Sequence, residues 1–166
     1  MTAGIGYHRG VELQQALAVL SALNRHDVDY VLVGGLALGV HGLVRATRDI
    51  DLFVRPTTDN IERLRGALRS VFDDVSIDEI EATDLAGMFP VVRYGPPDAD
   101  FVIDLIGRIG DVFTFDDLES ERRQVDGVEV RVATPQTLYR LKKDTVRPID
   151  RADAEALKRR FQLGEP

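Results

Sequence analysis

No cysteine occurs in the chain, so disulfide stapling and thiolate metal sites are both excluded. Histidine is scarce, and the scattered His8, His26 and His41 give no spacing that suits a zinc site. Any metal handled here is expected to be a hard ion held by carboxylate oxygens. Long apolar runs are missing as well: no stretch approaches the roughly 18 apolar residues that mark a membrane span. The N-terminus lacks a basic segment followed by an apolar run and a small-residue cleavage site. Neither export nor membrane insertion is therefore expected, and a cytoplasmic location follows by default. Positive charge is in deficit, 21 Lys and Arg against 28 Asp and Glu, for a net charge of −7. That disfavours duplex binding driven by bulk charge, but leaves room for a nucleic-acid substrate held by local clusters. Such clusters occur at Arg45, Arg48, Lys142, Lys143 and Arg147, and again at Arg151, Lys158, Arg159 and Arg160.

What is present suits a folded protein: 166 residues, 44% apolar and 30% charged, predict one domain over residues 1–166. Residues 11–26 repeat Leu13, Ala16, Leu17, Leu20 and Leu23 at three- and four-residue spacing, which predicts an amphipathic helix. Tyr30-Val31-Leu32-Val33 is a short apolar strand that stops at Gly34-Gly35. Helix returns from Leu36 to about Leu43, and a strand follows from Ile50 to Val54, ended by Pro56. The next helix begins near Asp59, which with Glu62 makes a capping box, and carries Ile61, Leu64, Leu68 and Val71 as its apolar stripe. Gly66 inside it costs about 1 kcal/mol relative to alanine unless something packs close. Strands are predicted over 89–94, where Pro90 favours an edge, and over 101–106. Val125 to Val132 reads as a hairpin around Asp126-Gly127. Residues 134–162 form two C-terminal helices: one opened by Thr134-Pro135, the other starting after Pro148 with Asp150 as cap candidate. Strands mixed with helices predict an α/β (α+β) domain whose strand order stays open.

The chemistry concentrates in Asp49-Ile50-Asp51-Leu52. A strand alternates faces, so Asp49 and Asp51 project to one side and Ile50 and Leu52 to the other. Two neighbouring carboxylates repel when both are ionised, and a divalent cation resolves the conflict. The plainer alternative is a solvated strand face or a turn cap. Gly34 and Gly35 end a strand and open a helix, where glycine lets the backbone approach a ligand and unpaired N–H groups suit a phosphate. Neither a Walker loop nor a dinucleotide fingerprint is present. Residues 36–48 leave room for one short helix and a return, which would bring glycines and carboxylates onto neighbouring strand ends. A third acid, Asp104, is embedded in the apolar run Phe101 to Leu105, where an ionised group needs a partner. That partner is either a shared Mg²⁺ or an internal arginine such as Arg45 or Arg48.

The combination Val33-Gly34-Gly35, Asp49-Ile50-Asp51-Leu52 and a later strand Asp104 resembles the signature of the polymerase-beta-type nucleotidyltransferase superfamily. Within it, Arg45-Ala46-Thr47-Arg48 leading into Asp49 resembles the small bacterial branch related to abortive-infection toxins of toxin–antitoxin systems. Lys143 followed by Arg147-Pro148-Ile149-Asp150-Arg151-Ala152-Asp153 is similar to that branch's C-terminal lysine and Arg-Pro-Lys-Asp pattern, with Ile149 in place of lysine.

The resemblance implies a mixed central sheet flanked by helices, and transfer of a nucleoside monophosphate from an NTP such as ATP to a hydroxyl, releasing pyrophosphate. It implies Asp49, Asp51 and Asp104 as ligands of Mg²⁺ or Mn²⁺, with Asp104 also orienting or deprotonating the acceptor. Gly34 and Gly35 would hold the triphosphate; Lys143, and Arg48 beside the acids, would reach phosphate, and Asp150 or Asp153 would support the site. Lys143 and Asp150 also suit plain helix capping, Tyr139 could stack a base or pack, and His41 is not expected to be a ligand. Acceptors that fit include a tRNA 3′ end, a protein hydroxyl and an aminoglycoside or lincosamide. An antitoxin partner and a homodimer are both implied, since many relatives carry a larger helical region. The competing expectation is a catalytically silent NTP-binding or toxin–antitoxin interaction module, and a metal-dependent phosphohydrolase is a third.

Overall fold

A computed structural model describes residues 13–43, 46–111, 113–145 and 147–164. The chain opens with α1 (Leu13–Arg25), β1 (Tyr30–Val33), α2 (Gly34–Val40), β2 (Asp49–Val54) and α3 (Thr58–Val71). A short α4 (Ala82–Ala86) leads into β3 (Val91–Tyr94) and β4 (Val102–Ile106). Two small strands, β5 (Arg108–Ile109) and β6 (Phe113–Thr114), precede the hairpin of β7 (Ser120–Val125) and β8 (Val128–Ala133). The described chain closes with α5 (Pro135–Lys142) and α6 (Pro148–Phe161).

Six strands form one mixed sheet in the order β3-β4-β2-β1-β8-β7, flanked by helices. The central strand β2 runs antiparallel to β1 and parallel to β4, while β3 pairs antiparallel with β4 at one edge. The edge position expected from Pro90 is thus observed. The hairpin turns at Asp126 (φ 46°) and Gly127 (φ 83°), the two left-handed residues a tight two-residue turn requires. Its first strand begins at Ser120, earlier than expected, because residues 120–124 are polar and largely exposed and so carry no burial pattern.

The core joins the buried stripe of α1 (Ala16, Leu17, Leu20, Leu23) to Ile61, Leu64 and Leu68 of α3 and the inner residues of the sheet. Leu52 and Phe53 are fully buried on β2, each contributing about 1.5–3 kcal/mol relative to exposure. Buried Asn60 ties the outer ends of β1 and β2 to α3. Its Oδ1 accepts from Asp29 N–H at 2.7 Å, and its Nδ2 donates to the carbonyls of Asp29 and Arg55 at 3.0 and 2.9 Å. Gly66 faces His26 closely, since a Cβ there would lie 3.2 Å from Nδ1, a tight contact for any larger residue inside this helix.

Two helix starts differ from the expectation and a third matches it. The cap of α3 is Thr57, whose side chain accepts from Asn60 N–H, so Asp59 is a first-turn acid and not half of a capping box. α6 begins at Pro148 after Arg147, which places Asp150 inside the first turn, where its carboxylate is used elsewhere. Thr134 caps α5 as expected, accepting from Thr137 N–H ahead of Pro135.

Candidate metal and nucleotide site

The register of three strands lays out the site. On β2, Ile50 and Leu52 are fully buried while Asp49 and Asp51 on the opposite face stay half-buried. β4 runs parallel beside it with Asp104 directly across from Asp51, and β3 places Arg93 directly across from Asp104. Arg93, Asp104 and Asp51 therefore form one row across three neighbouring strands, with Asp49 one step along β2. One carboxylate oxygen from each of Asp49, Asp51 and Asp104 lies within 4.8 Å of the others. Oxygens on opposite sides of one Mg²⁺ stand about 4.1 Å apart, at metal–oxygen distances of about 2.0–2.1 Å. Small side-chain rotations thus suffice for the three acids to share a divalent ion, and the donor set, all hard oxygens, suits Mg²⁺ or Mn²⁺.

Gly34 sits over Asp51. It adopts φ +73°, and a Cβ there would lie 2.8 Å from Asp51 Cγ and overlap Oδ2. Glycine is needed here twice over, for the left-handed backbone and for the carboxylate pressed against it. Gly35 follows as a buried residue whose missing Cβ would come 3.1 Å from Thr47 Cβ. Thr47 in turn braces the acids: its hydroxyl accepts from Asp49 N–H at 3.2 Å and donates to Asp49 carbonyl at 3.1 Å. The Gly-Gly turn and the first aspartate are therefore joined through one threonine.

Asp104 is paired within the protein as well. Arg93 Nε and Nη2 donate to its two oxygens at 2.9 and 3.1 Å, and the Asp104 side chain is only 12% exposed. The sequence allows a shared Mg²⁺ or an internal arginine such as Arg45 or Arg48 as this partner, and the arginine found is Arg93. Arg45 lies outside the described residues. Arg48 is exposed, and its carbonyl accepts from Val102 N–H at 3.1 Å, which fixes the start of β4 against β2. The hydrogen bonds from Arg93 to Asp104, then the charges of Asp104, Asp49 and Asp51, hold the guanidinium above its ordinary pKa. Arg93 carries no motif of its own in the sequence, and only strand register brings it to the acids; Thr47 lies in the string that leads into Asp49, but its bracing role shows only in the turn geometry.

The C-terminal lysine–acid cluster centres on Lys142 rather than Lys143. Lys142 is buried and donates to Asp150 Oδ1 and Asp153 Oδ2, both at 3.0 Å, with Arg147 a further 3.7 Å contact of Asp150. Burial pushes Asp150 upward, but the Lys142 hydrogen bond and charge, with Arg147, reverse this and hold its carboxyl below the usual range. Lys143, one residue on, is the C-cap of α5 with its amine 3.7 Å from Asp144. Helix geometry decides between the two, because only Lys142 turns inward onto α6. Tyr139 is buried, 4% exposed, which favours packing over base stacking. His41 is buried and engaged elsewhere: its ring Nε2 lies 2.8 Å from the carbonyl of Ala133 and its Nδ1 3.7 Å from Glu121 Oε1.

Comparison with solved structures places this fold among nucleotidyltransferases. The nucleotidyltransferase candidate TM1012 from Thermotoga maritima aligns with a TM-score of 0.53 at 11% identity, over 94% of this chain and 98% of that one. ANT(2")-Ia in complex with adenylyl-2"-tobramycin aligns with a TM-score of 0.54 at 17% identity, over 90% of each chain. An antigenic nucleotidyltransferase-like protein from Paracoccidioides brasiliensis gives 0.50 at 19% identity, over 88% of this chain and 75% of that one. These likenesses speak for the fold alone. A search of curated proteins finds no match. Among the described residues no helix is long and apolar enough to cross a membrane. Residues 16–154 match the model of the nucleotidyl transferase AbiEii toxin family of type IV toxin–antitoxin systems, and the chain belongs to that family.

Proposed function

We propose that this nucleotidyltransferase transfers a nucleoside monophosphate from an NTP to an acceptor hydroxyl, with release of pyrophosphate, at Asp49, Asp51 and Asp104. The observation that carries this is the meeting of three carboxylates from two parallel strands beside a glycine turn that Asp51 itself keeps free of side chains. Asp49, Asp51 and Asp104 are the residues that would hold Mg²⁺ or Mn²⁺. When bound, a divalent ion would polarise the α-phosphate and offset charge on the departing pyrophosphate.

The chain's own residues supply the rest. Gly34 and Gly35 let the backbone come close to a triphosphate, and Arg48 and Lys143 offer positive charge for it. Asp104, less exposed than the other two acids, orients the attacking hydroxyl and accepts its proton. Asp49 and Asp51 are the acids that would keep the ion against the donor's phosphates. The Lys142–Asp150–Asp153 cluster supports the site by locking α5 to α6.

Membership of a toxin family favours a macromolecular acceptor, a tRNA 3′ end or a protein hydroxyl, and an antitoxin as partner; a homodimer could complete acceptor recognition. The deciding experiment incubates the protein with each labelled NTP, Mg²⁺ or Mn²⁺, and total RNA, protein lysate or an aminoglycoside. Label on one acceptor, lost in Asp49→Ala and Asp51→Ala, is the expected result. Equal NTP affinity in wild type and Asp51→Ala, with no label on any acceptor, would remove the metal site from the mechanism. Metal-dependent NTP binding without transfer would instead favour a catalytically silent module, and nucleotide release without a labelled product a phosphohydrolase.

A further inference from the structure

The guanidinium of Arg93 is a cation already seated in the carboxylate cluster. It reaches inward from edge strand β3: its side chain is 65% exposed, whereas that of Asp104 is 12% exposed. Both oxygens of Asp104 accept from it, in a two-point pair that fixes the plane of the carboxylate. An ionised carboxylate offers about four lone-pair sites, two on each oxygen, and the fork uses one on each. The pair therefore leaves Asp104 able to meet a metal while it is held by the arginine.

The charge count gives Arg93 a second effect. Asp49, Asp51 and Asp104 together carry three negative charges when ionised, and Arg93 reduces the sum to two. A divalent ion entering the cluster meets attraction from three acids and repulsion from one fixed cation. Hydrogen-bond geometry and charge act in opposite directions on metal affinity: the first aims a ligand, the second repels the ion. Because the ion carries two charges and the arginine is seated on one of its ligands, repulsion is the larger of the two.

We propose that Arg93 is a positioning residue that holds Asp104 in its ligating orientation and lowers the site's affinity for a divalent cation in the nucleotide-free protein. This rests on the metal site proposed above. It predicts a site pre-arranged before metal arrives, and one in which a cation does not bind so tightly that it resists exchange.

The test measures Mn²⁺ binding to the nucleotide-free, full-length protein by the loss of the free-ion electron paramagnetic resonance signal. Wild type is compared with Arg93→Gln, Arg93→Thr as a strand-favouring replacement, Arg93→Lys and Asp51→Asn. Arg93→Gln and Arg93→Thr are expected to bind Mn²⁺ about three- to tenfold more tightly, a range set by screened charge repulsion across a few ångströms. Arg93→Lys keeps the charge and is expected within about twofold of wild type, while its transfer rate falls because the two-point hold is lost. Unchanged or weaker Mn²⁺ binding in both neutral variants, with thermal unfolding like wild type, overturns the proposal. Mn²⁺ binding absent from wild type, or undiminished in Asp51→Asn, fails differently: it removes the metal site and this role with it.

Discussion

Gly34 and Asp51 occupy space that only one side chain can fill. The Asp51 carboxylate lies where a Cβ of residue 34 would stand, and the backbone of Gly34 is left-handed at φ +73°. The glycine of the turn and the acid of the adjacent strand are thus one structural unit, though residues 35–50 separate them in the chain.

Gly34→Ala is therefore expected to cost about 2–5 kcal/mol, of which about 1–2 is the left-handed backbone and about 1–3 the overlap. Denaturant unfolding of Gly34→Ala in wild-type and Asp51→Gly backgrounds separates the two. In Asp51→Gly the overlap is gone and only the backbone contribution should remain. An equal cost in both backgrounds would mean that the aspartate exerts no pressure on the turn.

Crowding of like charges makes a second prediction, in which stability and activity move in opposite directions. Asp49→Asn removes one of three acids gathered within 4.8 Å, relieving repulsion from two carboxylates against the loss of attraction to Arg93. Without divalent metal the variant should be more stable than wild type, by up to about 1 kcal/mol, the Coulomb energy of one close pair in water. With Mn²⁺ the order should reverse, since wild type alone gains from binding. Thermal unfolding with and without Mn²⁺ reads both signs. A metal-free variant less stable than wild type contradicts the repulsion argument.

Short-range patterns make part of this arrangement legible in the sequence. Period-two alternation puts Asp49 and Asp51 on one face, and an acid in an apolar strand demands a partner, so Asp104 stands out. The glycine pair announces a turn. Arg93 was invisible because its position across from Asp104 depends on the pairing of β3 with β4, which no local pattern encodes. Lys142 and Lys143 are adjacent and chemically identical, and only the packing of α5 on α6 distinguishes them. The segment from Val75 to Ala86 shows no legible pattern because it buries just Ile77, Ile80 and Leu85, too few residues to set a period.

Thr47 illustrates a residue whose contribution is conveyed through another. Its hydroxyl closes a small ring on the Asp49 backbone, with contacts at 3.1 and 3.2 Å. Thr47→Val keeps the shape and removes both hydrogen bonds, at a stability cost of about 1 kcal/mol. If Thr47 aims Asp49, Mn²⁺ affinity should fall severalfold and Thr47→Ser should restore it. A stability loss with unaltered Mn²⁺ binding would confine this threonine to holding the strand end.

The buried ion cluster at the C-terminus gives the clearest pH signature. Asp150 carries a carboxyl held below its ordinary value, so its contribution to stability is full above the unfolded pKa of about 3.9 and disappears as pH falls through the lower folded value. Wild type should accordingly lose this contribution only in strong acid. Lys142→Met removes the cation between Asp150 and Asp153 and leaves two buried carboxylates facing each other, at a cost of about 3–5 kcal/mol near neutral pH. The sign of the pH dependence should also invert: without Lys142, burial raises the Asp150 carboxyl, so the variant gains on wild type as pH falls from 7 towards 4. Urea unfolding of both proteins across that range reads the difference. A gap that stays constant with pH would show that Lys142 contributes packing alone, and not charge, to the junction of α5 and α6.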